Sequence, residues 1–105
     1  MFALALAAAF LGGCQSAKPL GARQACSRSA HYQRPKDAAD AERIAKRLII
    51  DVYGAPAVLR QEPFTTTRDA DRWVVRGSPK PPETAPFLIM IDGVSGCPVY
   101  VGRDL

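Results

Sequence analysis

Three cysteines, Cys14, Cys26 and Cys97, and a single histidine, His31, are the side chains with the widest chemical reach in this 105-residue chain. Cys26, Cys97 and His31 match no closed four-ligand spacing, so no metal centre is expected. His31 sits among small and polar residues, away from any nucleophile on a regular element. Neither a Ser-His-Asp nor a Cys-His arrangement can be assembled around it. The carboxylates Glu62, Asp69, Asp71, Glu83 and Asp92 fall mostly at strand ends and turns, where such groups accept from backbone amides. Gly12-Gly13 lies in an apolar leader, and Gly93 and Gly96 join two strands, so no glycine-rich phosphate loop is formed. Trp73 alternates with Val75 as a core residue does. The inventory yields no catalytic residue, no metal ligand and no cofactor, and it points away from an enzyme.

Attachment and cross-linking remain for the cysteines. The first 13 residues, MFALALAAAFLGG, carry no charge and form an apolar run too short to span a bilayer, as in a secretory signal. Leu11-Gly12-Gly13-Cys14 resembles the bacterial lipobox, in which the chain is cut before a cysteine that then carries lipid. That resemblance implies a membrane anchor on Cys14 and a place in the bacterial cell envelope, facing the periplasm. In an oxidising compartment Cys26 and Cys97 either pair or remain two free thiols. A bridge would close a loop of about 70 residues, which the chain-entropy model values at roughly 4 kcal/mol.

The net charge of +4 is unevenly placed. Residues 14–36 hold Lys18, Arg23, Arg28, Arg34 and Lys36 and no acid, whereas residues 37–105 carry a net charge of −1. A basic tether placed after a lipidated cysteine suits anionic head groups, and a nearly neutral folded part gives nucleic acid no footing. Pro19, Gly21 and Pro35, with the small polar residues between them, read as a flexible spacer.

The elements that must position any site begin with Asp37–Gly54, the one long stretch with helical spacing. Ala41, Ile44, Ala45, Leu48, Ile49 and Val52 recur on one face. Asp37 suits the N-cap, Asp40 and Glu42 the first turn, and Gly54 a left-handed stop, with Pro56 barring continuation. Beyond Gly54 everything reads as strands. Val58–Arg68 is rich in β-formers, with Pro63 marking an edge or bulge. Asp69-Ala70-Asp71 turns the chain, and Arg72–Ser78 alternates, Trp73 and Val75 one way and Arg72, Val74 and Arg76 the other. Ser78–Pro86 is a proline loop, Phe87–Ile91 is continuously apolar, and Cys97–Val101 is a last strand with Val99 and Val101 on one face. This order predicts an α+β fold: one N-terminal helix packed on a curved antiparallel sheet of about four strands over residues 37–105, after a signal over 1–13 and a tether over 14–36. A single helix covers one face. Val74, Leu88, Met90 and Tyr100 line the other, either as a partner-binding surface or as a second core closed by curvature.

Ala41-Glu42 with Ile44-Ala45, Tyr53-Gly54, Gln61-Glu62-Pro63-Phe64, Trp73-Val74-Val75 with Gly77, Pro86-Phe87 and Gly96 succeed one another in a telling order. The series resembles the small bacterial immunity proteins with a nuclear-transport-factor-2-like, or cystatin-like, fold. The resemblance implies a protein that neutralises a cognate bacterial toxin by direct binding and without catalysis. It transfers no functional residue, because the shared landmarks are structural. The other function compatible with the sequence is a structural or accessory envelope lipoprotein with no toxin partner. Oligomeric state is left open.

Overall fold

The computed structural model of the protein describes Cys26 and residues 31–105; the expected signal, Cys14 and most of the basic tether lie outside the described residues. Helix α1 (Ala38–Tyr53) and a short helix α2 (Ala55–Leu59) precede four strands, β1 (Thr65–Asp69), β2 (Arg72–Arg76), β3 (Phe87–Asp92) and β4 (Pro98–Arg103). The strands form one antiparallel sheet in the order β1-β2-β3-β4, which gives the α+β class anticipated from the periodicities.

Helix α1 starts at its expected cap. The Asp37 carboxylate accepts from the Asp40 N–H at 2.8 Å. Asp40 in turn takes the Arg43 guanidinium at 2.6 Å and the Lys36 N–H at 3.0 Å; these donors, Arg43 foremost, hold its carboxyl below the usual range. Ala41, Ala45 and Ile49, spaced four apart, are fully buried, while Ile44 and Leu48 lie half-buried at the core's margin. Val52 is 57% exposed, contrary to the helical wheel, and Tyr53 takes the inner position instead, its ring 4.8 Å from that of Phe87. Gly54 ends the helix with φ 91° and ψ 150°, a glycine region other than the expected left-handed helical one. Pro56 then starts α2 rather than opening a strand, because proline suits a first helical turn, where its missing N–H would be unpaired anyway. The β-rich run from Val58 therefore becomes a strand only at Thr65.

The sheet follows the alternation of its residues. Val75, Ile89 and Val101 stand opposite one another across β2, β3 and β4 on the side covered by α1 and α2. Trp73 pairs with Ile91 on the same side. Ala70 turns the β1–β2 hairpin with φ 55°, a left-handed conformation unusual for alanine. Asp92 Oδ1 accepts from the amides of Val94 and Ser95 at 2.8 and 3.3 Å, fixing the β3–β4 turn. Ile91 pairs with Pro98 and Met90 with Tyr100, so Val99 is the extra residue of a register shift and does not simply share a face with Val101.

Gln61 joins the helical half to the sheet. Its side chain is fully buried, with Oε1 accepting from Phe87 N–H at 2.9 Å and Nε2 donating to Ala85 O at 3.2 Å. Its main-chain oxygen takes the Ser78 N–H at 2.8 Å. A Cβ on Gly77 would stand 2.4 Å from Gln61 Oε1, so Gly77 is needed for this close approach. The proline loop lies back over the same connection: Ser78 Oγ donates to Pro63 O at 2.6 Å, and Lys80 Nζ donates to Arg60 O at 3.0 Å and to Glu62 O.

The final residues of the expected tether lie against this unit. Pro35 is buried, Arg34 donates to Val94 O at 3.3 Å, and the Gln33 carbonyl passes 2.6 Å from where a Cβ on Gly96 would sit. The Sγ atoms of Cys26 and Cys97 are at bonding distance, with Cα atoms 6.0 Å apart across a sequence separation of 71. Two outcomes follow from this packing. Gln61→Ala, which strands the Phe87 amide and opens a cavity, should lower unfolding free energy by about 2–4 kcal/mol in urea denaturation. Thiol titration of oxidised protein should find neither Cys26 nor Cys97 free, and Cys26→Ser should cost up to about 4 kcal/mol.

Candidate interaction face

The side of the sheet turned away from α1 and α2 carries all four residues expected there. Val74 stands opposite Met90, and Met90 opposite Tyr100; one step along, Leu88 lies between Arg76 and Gly102. Leu88 is 7% exposed, and Val74, Met90 and Tyr100 are half-buried. No helix among the described residues covers them, since both helices pack on the alternate set Val75, Ile89, Ile91 and Val101. Polar groups frame the row. An Arg72 guanidinium nitrogen lies 3.8 Å from Met90 Sδ, Arg76 pairs with Asp104 at 2.6 Å, and the Tyr100 hydroxyl donates to Arg103 O at 2.8 Å. An apolar centre with a charged rim suits a macromolecular contact: apolar area is removed from water while the arginines select the approaching surface.

The opposite side of the molecule holds a cleft of about 310 Å³ between residues 31–33, α1 and the β3–β4 turn, with Ile44, Leu48 and Pro98 among its walls. His31 is exposed at this cleft together with Asp51, Arg43 and Arg47. The sequence left His31 in a free tether because nothing local signals that the chain is drawn back by Cys97. Gln61, too, gave no local signal of its role, since both of its side-chain partners lie more than 20 residues ahead. Among the described residues, no group of three His, Cys, Asp or Glu side chains is placed to hold a metal ion, and no helix is long and apolar enough to cross a membrane.

The chain matches no family model, no curated protein and no solved structure with which it was compared. The kinship suggested by Tyr53-Gly54, Pro63-Phe64 and Trp73-Val74-Val75 is therefore carried by the order of these landmarks alone.

A half-buried electrostatic link lies beside the core. Lys46 Nζ sits 2.7 Å from Glu62 and 3.2 Å from Glu42, and 5.7 Å from the centre of the Phe64 ring. The hydrogen bond to Glu62 is the largest cause of a Lys46 pKa raised above its ordinary 10.5. The ammonium form is thus favoured by folding. Its contribution to stability is complete below pH 10.5 and is lost as pH rises through the raised value. Glu62→Gln should therefore destabilise the protein by up to about 1 kcal/mol at neutral pH, with the gap to wild type closing under alkaline denaturation.

Proposed function

We propose that the protein is a non-enzymatic binding module of the bacterial envelope, lipid-anchored through Cys14, that neutralises a cognate toxin by occluding it. In this reading residues 37–105 form a small nuclear-transport-factor-2-like or cystatin-like domain, and the basic tether lies along anionic head groups. The observation that carries the reading is the row Val74, Met90 and Tyr100, with Leu88 beside it, on a sheet face that no helix among the described residues covers. Neutralisation by occlusion asks only for such a surface. It needs no nucleophile, metal or cofactor.

The test is co-expression, in a sensitive host, with toxin genes encoded within a few genes of the protein's own locus. Wild-type protein should restore growth. Met90→Asp should abolish rescue and complex formation while circular dichroism and melting stay close to wild type. An orphan locus, or rescue that survives Met90→Asp, would refute toxin binding through this face. If association with the envelope is instead lost when Lys18, Arg23 and Arg28 are neutralised and is indifferent to the sheet face, the accessory-lipoprotein function is supported.

A further inference from the structure

The sheet has two edges, β1 and β4, and β1 carries few of the devices by which proteins keep an edge strand from pairing. It contains no proline and no register shift, and four of its five residues are exposed. Its one cation, Arg68, is exposed but lies back across the neighbouring strand, with the guanidinium 4.6 Å from the centre of the Trp73 ring and Nε donating to Ala70 O at 3.2 Å. A charge stacked on the neighbouring strand does not guard the edge.

One hydrogen bond fixes which backbone groups of β1 point outward. Gly77, directly after β2, donates its N–H to Phe87 O at 2.9 Å, so the odd-numbered residues of β2 turn their amides and carbonyls toward β3. Arg72, Val74 and Arg76 consequently turn theirs toward β1, where Asp69, Thr67 and Thr65 stand opposite them. The outward-facing main-chain groups are those of Thr66 and Arg68, and among the described residues nothing pairs with them.

We infer that two copies of this chain join β1 to β1, antiparallel, about a two-fold axis through Thr67. In that register Thr66 faces Arg68 of the second copy and Arg68 faces its Thr66, so each pair can exchange two main-chain hydrogen bonds. Thr67 meets Thr67, and Thr65 meets Asp69; no like charges oppose. The register is self-selecting. A shift of two residues one way sets Arg68 against Arg68, and the same shift the other way leaves Arg68 beyond the end of the partner strand. An axis perpendicular to the sheet keeps both α1 helices on one side. On the other side Thr67, Val74, Met90 and Tyr100, already in register within one copy, continue into the same row of the second. The pairing goes beyond the binding function proposed above and does not depend on it.

Thr67→Cys in the full chain reads the axis directly. Two thiols opposite one another at a non-hydrogen-bonded position lie within reach of a disulfide. Mild oxidation should yield a dimer on a non-reducing gel at least about tenfold faster than Asp71→Cys, off the axis at the hairpin tip, after the background of unsubstituted protein is subtracted. Adding Arg68→Pro, whose lost amide points away from β2, should reduce the rate to that of Asp71→Cys. Thr67→Lys places like charges on the axis at an exposed position; sedimentation equilibrium should show a dimer for wild type and a monomer for this variant, with unchanged circular dichroism. Equal cross-linking from Thr67→Cys and Asp71→Cys, a monomeric wild type, or a dimer that persists in Thr67→Lys would each overturn the pairing.

Discussion

A single buried amide is the constraint on which the rest of the architecture depends. Gln61 is fully buried, and a polar group removed from water is tolerated only where its donors and acceptors are met. Here they are met from three directions: its own N–H reaches back to Val58 O at 3.0 Å, its main-chain oxygen takes the Ser78 amide, and its side chain spans Ala85 and Phe87. The helical half, the proline loop and the first residue of β3 are thereby held at one point. Phe87, fully buried, enters the core because its amide is anchored there, and Tyr53 packs against its ring. Gly77 is the geometric complement of this arrangement, since any side chain there would occupy the space of the amide.

A domain of this size has little apolar surface to bury, and α1 shields only one side of the sheet. The fold makes up the difference with long-range ties. The link between Cys26 and Cys97 brings the segment before α1 onto the β3–β4 turn, and Gly96 allows the Gln33 carbonyl to pass close above it. The same strap forms one wall of the His31 cleft. Lys46, bridging Glu42 and Glu62 above Phe64, fastens the outer face of α1 to the connection that leads into β1.

The two faces of the sheet thus differ in cover and composition. One is closed by helices and stabilises the protein; the other presents a short apolar row under an arginine-bearing rim, the composition expected of a contact surface. The edge at β1 is the place of the inferred pairing, which would run through the backbone rather than side chains. Because Thr67 is level with Val74, Met90 and Tyr100, pairing at the edge lengthens the same face instead of creating a separate one.

By itself the sequence determined most of the sidedness of α1 and β2. The four-residue spacing of Ala41, Ala45 and Ile49 specified the buried stripe of α1, Asp37 its start, and the alternation around Trp73 and Val75 both faces of β2. Such patterns are local, and a period of 3.6 or 2 is written directly in the chain. Tertiary structure alone decided that Pro56 opens a helix instead of a strand, that Val52 faces water while Tyr53 turns inward, and that Val99 is displaced in β4. It also decided the partnership of Gln61 with Phe87, 26 residues away, and of Cys26 with Cys97, 71 residues away. Contacts at such separations leave no periodic trace. They arise only when folded elements bring distant backbone groups into the same small volume and those groups must satisfy one another out of water.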